Sequence, residues 1–423
     1  MISTRDLTVV SKEQAAEIVR SHYDQYRNAD VQLSRLSGVY QRAYLIDILH
    51  TSVDNSQRVV CFLILSTPGL DNTTYGDDVV VPIANPLSTT LALSKLIQDN
   101  TDIPISDHKI DLSLSIVPCH YLLSAPFKVP EGHILLSLSQ ARREGILSPA
   151  EDAQFDLRVG QYLGQLHSNV QNEWFGMPQA PTESRVGMLP LPIAFSTPPG
   201  GDSAYSWQET FITLFEALLA RVESHAANDQ KSAAISDGNT NGVEAGEKQK
   251  KKYTLPSKDI HRSLSRAISF FLFDDVQVPS LVMHTGTADD IFITLPIKSK
   301  DLGGLPPIEV PVPDSRITYV LPNLTHAVWG DPLLETMFTS PNKAVLEGYV
   351  GAGGSKPIVF PRQKTKRLWY TLFSALLVLA EEGFETLEEQ EKVNDSEPEK
   401  SKVERAWEIV EECVEALKNA PYY

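Results

Sequence analysis

Residues 284–296 read HTGTADDIFITLP: a histidine, a short polar run with two adjacent aspartates, and an apolar segment with strand character. Carboxylates placed side by side, as Asp289 and Asp290 are, can hold a divalent cation when their oxygens converge. The same pair can also form a solvated Asx-type turn ahead of a strand. His284 can belong to a reacting loop or sit in the core bonded to backbone, and the structural role is the default. Cys119 and His120 could form a nucleophile pair. Neighbours on a strand point to opposite faces, however, so packing is the expected role. Gly303 and Gly304, and the GAGGS run at 351–355, lack the lysine and the strand–helix context of a phosphate loop, and they read as turns. The basic run EKQKKKY at 247–253 is either a docking or targeting patch or a solvated charge run.

These residues need elements to position them. Ser11 and the apolar spacing after it predict a helix over 11–23. Strand-like runs follow at 31–38, 40–50 and 58–67, then a helix at 87–100 stopped by Pro104, then a strand at 120–127. From about residue 150 the pattern turns helical, with Ser-capped amphipathic stretches beginning at 148 and 206. Residues 225–256 are rich in Ser, Asn, Gly, Ala and Lys, and they are expected to be a disordered insertion. Strand-like runs DIFITLP and RITYVLP, a core helix around LWYTLFSALLVLA and a last helix beyond a charged linker complete the chain. The expected class is α+β. The expected units are a strand-rich N-terminal lobe over 1–125, a helical lobe over 126–385 and a charged linker with a C-terminal helix over 386–423.

Bulk properties narrow the partners. The chain has 423 residues and a formal net charge of −17. That charge argues against nucleic acid, whose backbone demands a basic face. The sparse, odd set Cys61, Cys119 and Cys413 is no disulfide framework and no zinc motif. The N-terminus lacks a signal-peptide apolar core, and 368–380 is too short for a bilayer span of roughly 20 residues. A cytoplasmic protein with no membrane partner is expected.

The order of the elements then resembles that of the aminoglycoside phosphotransferase and choline kinase-like family, whose fold is related to protein kinases. The resemblance runs over roughly 30 to 380. It is carried by GVYQRAYLI, by DNTDIPI, by LRVGQYLGQLHS with its helix ending in Leu-His, and by VWGDPLLETM. It implies a two-lobed fold with a small antiparallel-sheet lobe carrying one helix and a larger, mainly helical lobe. In that family a strand-three lysine holds the nucleotide phosphates and a helix glutamate orients it. An aspartate two residues after the loop histidine is the base, and an Asn and an Asp hold magnesium.

Placed on that pattern, the sequence departs from it at nearly every charged position. The lysine position falls on Ile64, the glutamate near Thr90 and the base on Gly286. The loop asparagine falls on Asp290, with the loop one residue short, or on Ile291 without the gap. The metal aspartate falls on Asn323. Asp289, Asp290 and Asn323 are the tentative metal set. His326 is expected to serve at the surface or in packing, and Asp331 of the GDP segment to be structural. With the phosphate lysine and the base missing, no catalytic residue and no cofactor are expected. The chain reads as a kinase-like pseudoenzyme, a binding or scaffolding module for a protein or a small metabolite held in a cleft between the lobes. The alternative is an ATP- and Mg-dependent phosphotransferase acting on a small-molecule hydroxyl. A third reading, a structural subunit docking through its C-terminal helices, calls for exposed apolar surface on 403–419.

Overall fold

The structure is a computed structural model that describes residues 9–36, 41–49, 58–66, 84–179, 201–236, 254–296, 316–357, 360–382 and 402–422. Gly303, Gly304, the basic run at 247–253 and the linker at 386–401 lie outside the described residues.

Helix α1 (Lys12–His22) begins in a capping box. Ser11 Oγ accepts from the Gln14 amide, and Gln14 Oε1 accepts from the Ser11 amide, so orphan donors at the helix start are satisfied. Strands β1 (Asp30–Arg35), β2 (Ala43–Leu49) and β3 (Val59–Leu65) pair antiparallel in sequence order. After α2 (Leu87–Asn100) come β4 (His108–Asp111), β5 (Tyr121–Ser124) and β6 (Phe127–Lys128). The sheet order is β1-β2-β3-β5-β4, with β6 also on β3.

β3 reads VVCFLIL and is buried throughout, which requires a cover on each face. Its period-two side chains divide accordingly. Val59, Cys61, Leu63 and Leu65 pack under α1 with Ala15, Ile18 and Val19. Val60, Phe62 and Ile64 face the second lobe, where they meet Leu135, Phe292, Tyr319 and Leu321.

Those partners come from a second antiparallel sheet, ordered β10-β9-β7. Its strands are β7 (His133–Ser137), β9 (Ile291–Pro296) and β10 (Arg316–Val320). β8 (Ser280–Val282) and β11 (Val328–Gly330) form a separate pair. Around them lie α3 (Leu138–Arg143), α4 (Pro149–Asn169), α5 (Trp207–Ser236), α6 (Ser257–Ser269), α7 (Lys343–Gly351), α8 (Pro361–Glu382) and α9 (Lys402–Lys418). α4 also starts in a capping box, between Ser148 and Glu151, with Pro149 at its first position. β9 alternates like β3, with Phe292 on the first sheet and Ile291, Ile293 and Leu295 in the helical core. The architecture is thus α+β and two-lobed, a small antiparallel sheet with one inserted helix followed by a mainly helical lobe.

One expectation needs correction. The expected insertion at 225–256 begins too early, because α5 continues unbroken to Ser236. Residues 226–236 carry four alanines and neither Gly nor Pro, so a helix already nucleated extends through them. Where the two sheets meet, the lobes are in direct contact. The Phe62 and Tyr319 rings stack there at 4.3 Å and 9°, and Phe292 lies 4.6 Å from Phe62. α9 does not present apolar surface, since Trp407, Val410, Val414 and Leu417 are all buried in the helical core. Among the described residues, no helix is long and apolar enough to cross a membrane.

The contact between α4 and α7 has no room for side chains at its glycines. A Cβ on Gly348 would lie 2.0 Å from the Leu157 carbonyl oxygen, and one on Gly160 would lie 2.1 Å from that of Val345. Gly348→Ala and Gly160→Ala should therefore each lower stability by about 1–3 kcal/mol in urea unfolding. Gly351→Ala, where an added Cβ meets nothing within 4 Å, should be neutral or mildly stabilising.

Candidate functional site

The loop from Met283 to Ile291 is tied down at almost every residue. Glu335 Oε1 accepts from the Met283 amide at 2.7 Å, and the Thr336 hydroxyl donates to the His284 carbonyl. The Gly286 amide closes a tight turn onto the Met283 carbonyl at 2.8 Å. Thr285 donates to Asn323 Oδ1 at 2.7 Å, and Asn323 Nδ2 donates back to the Thr285 carbonyl at 3.1 Å. Thr287 and Asp290 then form a capping box around the short 3-10 turn Ala288–Asp290. That turn delivers the chain into β9.

His284 is buried between the His326 ring, at 6.4 Å, and the Phe373 ring, at 5.5 Å. Burial first, and then neighbouring His326, push its imidazole down to about 3, so it stays neutral near pH 7. It serves as a core side chain of the loop. At Gly286 a Cβ would lie 3.1 Å from the Met283 carbonyl oxygen, so the turn favours the residue without one. His326, expected at the surface or in packing, is 1% exposed, and its Nε2 lies 2.7 Å from Glu381 Oε1. The surface half of that expectation is overturned, because the imidazole has an acidic partner on α8.

Asp289 and Asp290 diverge. Asp289 turns towards α3, with Oδ1 3.4 Å from Ser137 Oγ and 3.6 Å from Arg143 Nη1. Asp290 turns inward and is only 3% exposed, which excludes a solvated turn for it. Its Oδ2 accepts from the Thr287 amide at 2.8 Å and from Asn323 Nδ2 at 3.5 Å, while Oδ1 has no hydrogen-bond partner. Burial pushes this carboxyl up to about 7, against the pull of the Thr287 and Asn323 hydrogen bonds.

Of the tentative metal set, Asp290 and Asn323 come together and Asp289 does not. Asn323 presents its amide nitrogen to Asp290, and its oxygen is engaged by Thr285. Only one carboxylate oxygen is therefore left free, and a hard divalent cation needs several convergent oxygens. The residues as folded do not fit magnesium, and among the described residues no group of three or more His, Cys, Asp and Glu could hold a metal.

The positions read as the lysine and its glutamate are apolar in setting as well. Ile64 is buried in the cluster between the sheets, and Thr90 is buried in α2. Cys61, Cys119 and Cys413 are free and buried, and burial raises the thiol pKa of each. The Cys119–His120 nucleophile pair therefore has no support.

Sequence reasoning missed the polar core beneath the loop. Asp331 caps Leu333, accepts from Tyr370 Oη at 2.7 Å and pairs with Lys366 at 2.9 Å; Lys366 also bonds Asp275. Glu335 joins His167, whose Nδ1 meets Tyr349 Oη at 3.0 Å. The signal was present, because Lys366 and Tyr370 stand four apart on a helix read as core. Charge at such a position requires a buried partner.

Asp290 sets a pH dependence. Its folded carboxyl titrates near 7 against an ordinary value of 3.8. The folded state therefore holds a proton that the unfolded chain releases, and this stabilisation is complete below the unfolded pKa and lost as pH rises through about 7. Asp290→Asn cannot titrate. From about pH 4 to pH 8 the native protein should lose stability relative to this variant, by on the order of a few kcal/mol in urea midpoints. A difference independent of pH would refute the buried, one-sided carboxyl.

No protein-family model matches the chain, and no curated protein matches it. Solved structures do resemble it. A candidate aminoglycoside phosphotransferase from Ralstonia eutropha has 12% identity and a TM-score of 0.44, covering 97% of this chain and 99% of its own. A candidate fructosamine-3-kinase from Haemophilus somnus has 12% identity and a TM-score of 0.44, covering 95% and 97%. A choline/ethanolamine kinase family protein from Mesorhizobium loti has 11% identity and a TM-score of 0.41, covering 97% and 96%.

Proposed function

We propose that this chain is a kinase-like domain protein that works as a binding or scaffolding module and not as a phosphotransferase. The carrying observation is the closure between the two sheets. Phe62 and Ile64 of β3 pack against Phe292 and Tyr319, on the strand face where the family resemblance calls for the phosphate lysine. Phosphoryl transfer rests on positioning and on neutralising about four negative charges of a nucleoside triphosphate. An apolar strand face supplies no such charge. The loop supports the same reading, because Gly286 has no side chain to accept a proton and His284 is buried and neutral. The partner in this reading is a protein or a small metabolite, and the compartment is the cytoplasm, with which free, buried cysteines are compatible.

A second reading, an ATP- and Mg-dependent phosphotransferase acting on a small-molecule hydroxyl, is favoured by one observation, the unshared Oδ1 of Asp290. Thermal unfolding separates the two, because a ligand that binds the native state must raise its melting temperature. Millimolar ATP with magnesium should leave the melting temperature unchanged. A rise of several degrees that Asp290→Ala abolishes would sink the first reading and favour the second, which phosphate transfer to a hydroxyl acceptor would then have to complete.

A further inference from the structure

Helix α6 ends in a Schellman motif. The Leu272 amide donates to the Ala267 carbonyl and the Phe271 amide to the Ile268 carbonyl, each at 3.0 Å. The residue at the centre of such a motif takes a left-handed backbone, and glycine is its usual occupant. Here it is Phe271, with φ 50°. A bulky side chain in that region is strained. Interior packing does not explain the strain, because Phe271 is 62% exposed. Phe270 beside it is 50% exposed, and Phe360, just before α8, is 62% exposed. The two segments are tied together, since Arg362 Nη2 donates to the Phe271 carbonyl at 2.7 Å and to that of Leu272 at 3.2 Å. Three phenylalanines thus leave roughly 300 Å² of surface in water, a size at which patches on monomers often serve a contact.

The charge beside this patch is opposite in sign to that of the chain as a whole. Arg266 lies over the Tyr422 ring at 4.7 Å and donates to the Lys418 carbonyl, and Phe270 stacks on the same ring at 6.2 Å. Among the described residues, neither Arg266 nor Arg362 has a carboxylate partner. Lys364 is exposed in the first turn of α8. Of the two acids that follow Phe273, Asp275 is engaged by Lys366, which leaves Asp274. A local excess of cations on a chain of net charge −17 selects an acidic partner. A second copy docking by the same face would set arginine against arginine. A broad anionic surface such as a membrane would also approach Glu411, Glu412 and Glu415, exposed on neighbouring α9. A short segment can meet the patch alone.

We propose that this face docks an acidic segment of a partner protein. Its carboxylates are drawn to the Arg266, Arg362 and Lys364 charges, and its aromatic or aliphatic side chains cover Phe270, Phe271 and Phe360. The proposal names the kind of protein partner for the binding-module reading and rests on that reading for its biological meaning.

The test is fluorescence anisotropy of the full chain with a short fluorescein-labelled peptide in which glutamate alternates with leucine and phenylalanine. Binding should saturate at roughly micromolar concentrations and weaken as salt rises. It should vanish when lysine replaces the glutamates or serine replaces the apolar residues. Phe271→Gly should weaken it about tenfold or more while the melting temperature holds or rises, because glycine suits the left-handed turn. Phe360→Ser should weaken it likewise. Absence of saturable binding, or equal binding of the lysine peptide, overturns the proposal. A lower melting temperature in Phe271→Gly also overturns it, since the ring would then pack within the chain. So does sedimentation with vesicles of phosphatidylserine and phosphatidylcholine, or self-association of the chain, that Phe271→Gly abolishes, since the face would have another occupant. The docking readout involves no nucleotide, so a melting shift with ATP would end the binding-module reading and leave this measurement intact.

Discussion

The stack of Phe62 on Tyr319 is the contact on which the rest of the molecule depends. It joins the middle strand of the first sheet to an edge strand of the second, with Phe127 and Phe292 packed beside it. Aromatic rings bury large areas and gain further from offset contact, so this cluster holds the lobes together as a core and not as a lined cleft. Phe62→Ala would remove the ring at the centre and leave a cavity that neighbouring strands, held by their ladders, can only partly fill. Polar ties run alongside. Asn85 donates to the Leu324 and Ala327 carbonyls, and Gln41 donates to that of Pro322. The segment carrying Asn323 is therefore positioned by the N-terminal lobe as well as by the loop it faces.

The second constraint is the buried polar framework of the helical lobe. Lys366 is 3% exposed and Asp331 is 6% exposed. Removing Lys366 would leave Asp331 without its cation in a medium that cannot solvate the charge, which costs far more than the pair gains, whereas without Asp331 the lysine would still keep Asp275. Glu335, four residues beyond Asp331, has a similar role, since its carboxylate fixes both the Met283 amide and His167. These groups explain how the loop keeps its shape. Its backbone is held by Glu335, Thr336 and Asn323, and none of these contacts needs a base or a metal.

Much of the fold was legible because local pattern and tertiary burial agree. The Ser11 and Ser148 caps, the short, nearly continuous apolar runs of β3 and β9 and the periodicity of α4 and α8 all carry their own signals. β4, β7 and α7 escaped the sequence pattern, and for physical reasons. β4 is a four-residue edge strand, β7 is a short run next to a turn, and α7 is held by glycine-mediated contact with α4 and not by a strong apolar stripe. The site was legible as residues but not as a constellation. The sequence offers Asp289, Asp290 and Asn323 as equals, and only folding turns Asp289 out to Arg143 and Asp290 in to Asn323.

The inward turn of Asp290 ties the site to the fold. A carboxylate that merely capped a 3-10 turn could stand in solvent, as Glu151 does in the box at the start of α4, where it bonds Ser148 on an exposed surface. Asp290 performs the same capping with one oxygen while α4 and the 320–323 segment exclude water from the other. Its protonation and the packing of β9 therefore belong to a single arrangement. Two buried atoms of the loop, His284 Nδ1 and Asp290 Oδ1, keep no hydrogen-bond partner, and burial favours the neutral form of each group, so packing and not solvent sets the charge of this loop.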